Sequence, residues 1–313
     1  MSAMPSESLM HAAVAPPSLT DSDGSFRRNY NRKSFMFPHG LSSNPLFDLG
    51  PLLELAKRTP EHHEPYWSNG KVAVGNRWEA GTGGRMSLPD TIANITNNDS
   101  IVILKHTEQD PVYGPVLQEF LGQVVKFAGE QMRSDVILGE TLILISSPNR
   151  VTPYHFDGET NFLVQVRGDK IFYVFDHEDR ALVTHEERER YFAGDISSAV
   201  YRQEHQQNAI AYDLKAGYGI HVPVAAPHWV QNGNNISVAI SVNYELRSVE
   251  RLAKIHRLNS RLRRLGLKPT PPGQSAFGDG VKLAVAEALS GIKSLSRASQ
   301  PPRPYGVWTP PAA

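Results

Sequence analysis

His155 and Asp157 stand one residue apart in the run TPYHFDGETNFLVQVRGDKIFYVF, which spans 152–175. On an extended strand residues two apart point to the same side, so this imidazole and this carboxylate can share one ion. An open iron site is commonly built from two imidazoles and one carboxylate on one face of the metal, with the other positions left for a co-substrate and oxygen. His-x-Asp by itself is a weak signal, and a second copy stands at His177 and Asp179. Context separates the two. The first copy opens a pair of apolar strands, whereas the second lies in the acidic run DHEDRALVTHEERER and reads as a solvated loop and helix start.

A third ligand has to come from elsewhere, and 217–246 is the best source. There an apolar strand from Ile220 to Val224 leads through a Pro-bounded bend to His228, and a turn at 232–235 sends Ile236 to Tyr244 back. His228 is the chosen ligand. His221 is the rival, although a histidine inside a strand before Pro223 is more often a hydrogen-bonded structural residue. Between the ligand-bearing segments, Asn161 to Val166 reads as a strand, Gly168 and Asp169 as a two-residue hairpin turn, and Lys170 to Phe175 as the returning strand. Lys170 would then lie beside the metal-bearing face, where an ammonium can hold the distal carboxylate of a chelating dicarboxylate. The alternative is a strand-end lysine that reaches solvent.

These residues carry a resemblance. The run 152–170 resembles the JmjC branch of the cupin superfamily, the iron(II) and 2-oxoglutarate dependent dioxygenases, and especially the asparaginyl hydroxylase that inhibits hypoxia-inducible factor. The family pattern is Thr-Pro-x-His-x-Asp, then Asn-Phe, then Gly-x-Lys, a distal His and a later Asn. This chain matches it at Thr152, His155, Asp157, Asn161, Lys170, His228 and Asn243. The resemblance implies that His155, Asp157 and His228 bind iron(II) and are the catalytic centre. It further implies that Lys170 with Thr152 holds the side-chain carboxylate of 2-oxoglutarate, and that Asn161 and Asn243 line the same pocket. It covers 142–246 well and implies a mainly β fold, a double-stranded β-helix (cupin, jelly-roll) core with flanking α-helices. The activity it implies is hydroxylation, or demethylation through hydroxylation, with decarboxylation of 2-oxoglutarate to succinate. A halogenating relative would leave the Asp157 position small.

The elements that position these residues are legible in outline. Residues 1–24 read as a disordered leader rich in Ser, Pro and Ala, without the basic and long apolar regions of a secretory signal. FRRNYNRKSF then reads as a solvated entry segment. Pro45 to Lys57 spaces Leu46, Leu49, Leu52, Leu53 and Ala56 at helical intervals. In the Gly-, Trp- and Asn-rich stretch 66–84, Lys71 to Val74 is expected to form a short strand. Ser87 caps a helix through Ile95, Ile101 to Lys105 is a strand, and Val112 to Met132 is a helix. Thr141 to Ser146 is a continuous apolar strand, His185 to Phe192 a short charged helix, and Tyr212 to Leu214 a strand. These place a catalytic domain at 25–246, with its metal-bearing core at about 140–246. A helical carboxyl-terminal extension follows at 247–313, with helices over 248–265 and 281–295 and a flexible Pro-rich end from Pro301.

Composition narrows the classes further. The 313 residues are ample for a large core, their formal charge is zero, and none is cysteine. A generally basic nucleic-acid binder is therefore disfavoured, and a disulfide framework or thiolate metal site is excluded. No apolar run is long enough to cross a bilayer, and the expected compartment is the cytoplasm. The striped basic helix over 248–265 makes a homodimer a candidate assembly. The substrate class stays open between a protein, a peptide and a small molecule. The competing readings are a non-catalytic or regulatory metal-binding cupin and a metal-dependent isomerase, which generally uses more histidines and no co-substrate lysine.

Overall fold

The computed structural model describes residues 18–78, 86–296 and 308–309. Its strands are β1 (Phe35–Pro38), β2 (Tyr66–Ser68), β3 (Ile101–Leu104), β4 (Val136–Ser146), β5 (Val151–His155) and β6 (Thr160–Arg167). They continue as β7 (Asp169–Val174), β8 (Ile210–Lys215), β9 (Tyr218–Val222), β10 (His228–Asn232) and β11 (Ser237–Leu246). The helices are α1 (Ser25–Asn29), α2 (Leu49–Arg58), α3 (Leu88–Ala93), α4 (Gly114–Ala128), α5 (Glu130–Asp135), α6 (His185–Phe192), α7 (Arg247–Arg264) and α8 (Ala276–Ser296).

The strands form two antiparallel sheets. One has seven strands in the order β1-β9-β6-β11-β4-β3-β2, and the other has four in the order β5-β10-β7-β8. This is a mainly antiparallel β architecture with flanking helices, compatible with a jelly roll. From β5 to β11 the chain passes repeatedly between the sheets, and two expected hairpins are corrected as a result. The turns at Gly168 and at 232–235 are present, but β6 and β7 lie in different sheets, and so do β10 and β11. Gly168 makes the β6–β7 crossing at φ +76°, where an added Cβ would collide with the Asn235 side chain and the Ile236 carbonyl.

Alternation along the large sheet divides its residues between two cores. Phe162, Val164, Ile240, Val242, Ile143 and Ile145 face outward against Leu52 and Leu55 of α2 and Leu117, Phe120, Leu121 and Val124 of α4. Each such side chain contributes roughly 1.5–3 kcal/mol by leaving water, so this outer layer is the main cohesive body of the domain. Leu163, Ile220, Val222 and Ala239 face inward, toward Phe172, Val174, Leu214 and Val230 of the small sheet. The space between the sheets is therefore lined largely by apolar side chains, with Ser241 beside Leu163 as a polar exception.

Several local expectations are corrected. Lys71–Val74 forms no strand. The pairing strand is Tyr66–Ser68, and residues 79–84 of the expected loop lie outside the described residues. The helix expected over 112–132 is broken at Gly129, whose φ of +85° ends α4 before α5 begins. The apolar strand before the motif starts earlier, at Val136, and takes in Gly139 and Glu140. The entry segment is not simply solvated, because Phe26 is fully buried against Phe35, Phe37 and Phe162. Of the expected leader, Ser18 and Leu19 pair with β1 and its continuation, whereas 1–17 lies outside the described residues. Trp308 in the Pro-rich end bridges to Gly139 and packs on Tyr244; residues 301–307 and 310–313 lie outside the described residues. The apolar stripe of α7 is occupied within the chain, since Ile255 and Leu258 are buried and α7 packs on α6 and α8. No helix among the described residues is long and apolar enough to cross a membrane.

Candidate metal centre and co-substrate pocket

Three neighbouring strands of the small sheet bring the site together. His228 opens β10 and is registered against His155 on β5 and Val174 on β7. Directly paired residues of an antiparallel ladder lie on the same face, so His155 and His228 point inward together. Asp157 follows His155 just past the end of β5. It is held where its backbone carbonyl accepts from the Ala225 N–H at 2.9 Å, in the Pro-bounded bend before His228. Ala225 itself sits at φ +57°, an uncommon conformation for a residue with a Cβ and a mark of a constrained loop.

The His155 Nε2 atom lies 4.0 Å from Asp157 Oδ2, and His228 Nε2 lies 3.7 Å from the same oxygen. Among the described residues, these three form the group whose donor atoms could hold a metal ion, all within 4.8 Å of one another. The orientation of both rings is fixed from behind. His155 Nδ1 lies 2.7 Å from the Pro153 carbonyl and His228 Nδ1 lies 3.0 Å from the Ala226 carbonyl. A carbonyl only accepts, so each Nδ1 is the protonated nitrogen and each Nε2 lone pair is left for the centre. Burial, and then the neighbouring His155 ring, hold the His228 imidazole down to about 4, so it is neutral at physiological pH. The rings are backed by aromatics: Trp78 lies 4.7 Å from His155 and Phe172 stacks 5.2 Å from His228, centroid to centroid. Two imidazoles and one carboxylate suit a ferrous-type ion with open positions. The open side is toward Asp157, whose side chain is 38% exposed against 7% for His228.

Lys170 lies on the same inner face, paired to Asn232 on β10, in the alternating set Lys170, Phe172 and Val174. Four residues of strand put it about 13 Å along β7 from the level of His228. It does not reach solvent, because its residue is only 5% exposed. Burial alone, with no anion beside it, pulls the ammonium down to about 7. An ammonium buried without a counter-charge is costly, and a bound carboxylate relieves that cost. Thr152 is paired to Val230 although His155 is paired to His228, so three positions of β5 match two of β10. This bulge turns Thr152 and His155 to the same inner face despite their odd spacing.

Asn161 and Asn243 approach from the large sheet. They are registered against each other, and the Asn161 amide donates to Asn243 Oδ1 and to Ser241 Oγ. The row continues to Glu140, which is registered against Asn243 and hydrogen-bonded to its side chain. Glu140 was missed in the sequence, where the one clue is a lone carboxylate inside the apolar run VILGETLILIS. Glu159 was missed too; burial, with Asp157 and Glu140 nearby, pushes its carboxyl up to about 8. Trp78 and Tyr191 were also missed. The Tyr191 hydroxyl accepts from the Gly158 N–H at 2.8 Å and braces the turn that carries Asp157.

The two rejected candidates lie elsewhere. His221 is fully buried on β9, with Nε2 accepting from the Asn31 N–H and Nδ1 facing the Asn161 carbonyl. Neither of its nitrogens is left for a metal. His177 and Asp179 sit in the loop before α6, where the Asp179 carboxylate caps the Ala181 N–H.

No protein-family model matches the chain. Three solved structures were compared with it, all from Escherichia coli. The X-ray structure of YcfD aligns over 90% of this chain and 70% of that chain at 14% identity, with a TM-score of 0.50. A structure described as the ribosomal oxygenase YcfD covers 90% and 69% at 14% identity, with a TM-score of 0.49. A complex of that protein with cobalt and 2-oxoglutarate covers 90% and 69% at 14% identity, with a TM-score of 0.48. The first of these alignments places this chain in the same fold as YcfD.

Proposed function

We propose that this chain is an iron(II) and 2-oxoglutarate dependent oxygenase that hydroxylates its substrate, built on a double-stranded β-helix. Folds host many chemistries, so the reading rests on the site itself. The observation that carries it is the pairing of an inward-facing His155, Asp157 and His228 group with a buried, uncompensated Lys170 on the same face. His155, Asp157 and His228 would hold the iron, which when bound activates oxygen at the expense of 2-oxoglutarate and leaves succinate.

The residues of the chain do the rest. Pro153 and Ala226 keep the imidazole lone pairs aimed at one point, while Lys170, with Thr152 on the same inner face and across β10 from Phe172, receives the distal carboxylate of the co-substrate. Asn161 and Asn243 line the facing wall, and the apolar lining of the lumen, Phe172, Val174 and Leu163, excludes water behind the centre. An intact Asp157 keeps the carboxylate ligand in place and favours hydroxylation. The fold of YcfD, which is described as a ribosomal oxygenase, leads us to favour a protein substrate.

Calorimetry with manganese as an inert metal tests the co-substrate directly: 2-oxoglutarate binds the manganese-loaded chain and does not bind His155→Ala or Asp157→Ala. No binding to the loaded wild-type chain would favour an isomerase or a regulatory cupin instead. A mass-spectrometric search for oxidised proteins in lysate, comparing wild type with Asp157→Ala, then identifies the substrate.

A further inference from the structure

A second cavity lies outside the metal centre, where α2, the end of β3 and the loop after it meet. Its volume is about 150 Å³, room for roughly five waters at about 30 Å³ each. Its charged lining is one-sided: Arg58, His63, Lys105 and His106 stand against a single carboxylate, Asp110. That carboxylate is already engaged. Asp110 accepts from Arg58 Nε at 2.8 Å and Nη2 at 3.0 Å, and from the Val112 and Tyr113 N–H groups. Lys105 has a different standing: no hydrogen bond among the described residues engages its ammonium, and Glu140, behind the cavity wall, is a carboxylate within its electrostatic reach.

Two histidines line the same cavity. His106 Nδ1 lies 3.3 Å from Glu140 Oε2 and 3.9 Å from Glu108 Oε1. Those two carboxylates belong to the wall behind it rather than to the cavity lining. Glu108 is tied to the Thr141 N–H and hydroxyl, and Glu140 to Asn243. His106 is also held at φ +55°, a backbone conformation that is stored where surrounding contacts fix it. His63 faces it at 5.4 Å between ring centroids, and burial, then the His106 and His62 rings, lower its proton affinity. A cluster of bases that disfavour one another is relieved by an anion placed among them.

We propose that this cavity is a second binding site, separate from the metal centre, for a small oxyanion, a carboxylate or a phosphate held by Lys105, His63 and His106. The chemistry is that of a free anion the size of orthophosphate or a short dicarboxylate. Nothing in it depends on the oxygenase assignment.

The test uses the full chain carrying His228→Ala and Lys170→Met, so that neither the metal centre nor the buried lysine can capture the probe. Inorganic phosphate and succinate are titrated separately at constant ionic strength, by calorimetry and by the ring-proton resonances of the histidines. One equivalent of at least one probe binds saturably, and the His63 and His106 resonances move while those of His177 do not. The stronger probe tells phosphate from carboxylate. Lys105→Met weakens that binding about tenfold, the loss of one charge-assisted hydrogen bond, and His63→Gln supplies an independent variant if the first does not fold. The proposal is overturned if neither probe saturates, if the shifts appear at His177 instead, or if folded Lys105→Met and His63→Gln both keep wild-type affinity.

Discussion

His221 on β9 and His228 on β10 are both buried strand histidines with depressed proton affinity, yet only one is equipped to bind metal. The difference lies in the second nitrogen. His221 sits among Phe162, Phe35 and Tyr30, with one nitrogen facing the Asn161 carbonyl and the other accepting from Asn31. His228 uses only Nδ1 on the main chain and presents Nε2 beside Asp157. Burial alone thus says nothing about role, whereas an imidazole with one nitrogen fixed and the other turned to a shared centre is a ligand in waiting.

Substituting each histidine should separate the two roles most sharply. His228→Ala removes a ligand, so conversion of 2-oxoglutarate to succinate falls to background while the melting temperature stays close to that of the metal-free wild type. His221→Ala removes a ring from the outer core and strands two main-chain groups. It should cost about 2–4 kcal/mol of stability and leave turnover per folded molecule largely intact. Turnover in His228→Ala near the wild-type rate, measured as succinate release, would erase the distinction.

Lys170 sharpens the same contrast on a third strand, as a buried base waiting for a partner rather than satisfied by one. Lys170→Met should weaken 2-oxoglutarate binding about 10- to 100-fold, the value of one or two charge-assisted hydrogen bonds. It should also raise the melting temperature of the chain without co-substrate, because an uncompensated buried charge is removed. Calorimetry and thermal melts check the two signs. An unchanged affinity would make Lys170 a structural residue.

A smaller effect is expected at Gly168, where the chain changes sheets. Gly168→Ala meets a positive φ and a close neighbour, so a loss of about 1–3 kcal/mol is expected in denaturant unfolding. Affinity for 2-oxoglutarate should fall with it only if the crossing fixes the position of Lys170, two residues on.

These residues also show what the sequence could tell. The grouping of His155, Asp157 and His228 and the helix His185–Phe192 were legible because each depends on local spacing or on neighbours in the chain. The sheet crossings at Gly168 and 232–235 were not, since a Gly-Asp or Asn-rich turn looks the same whether its strands pair or part. Thr152 needed a bulge to face inward, and strict alternation would have turned it away from His155. Glu140 was hidden because a strand was read only where it was apolar, and Phe26 because its basic neighbours dominate the segment. Each of these failures concerns long-range packing, which local composition does not encode.

The last expected effect concerns proton uptake, and its two sides oppose each other. Burial holds His39 and His228 down to about 4 and His221 and His256 down to about 3. The unfolded chain protonates these rings near about 6.5, so stability is lost as pH falls from there toward the folded values. Burial first, and then neighbouring carboxylates, push Glu140 up to about 7 and Glu159 up to about 8. These carboxyls take up protons in the folded chain before the unfolded chain does, near about 4.3, so they add stability as pH falls between those limits. The carboxyls partly offset the imidazoles between about pH 6.5 and 4.3, and below that range the imidazoles act alone, at about 1.4 kcal/mol per pH unit for each unmatched proton. The melting temperature of the metal-free chain should therefore decline steadily as pH falls from about 6.5 toward about 3. Glu140→Gln removes one offsetting group and should steepen the upper part of that curve; a variant whose upper slope matches wild type would place the Glu140 proton elsewhere.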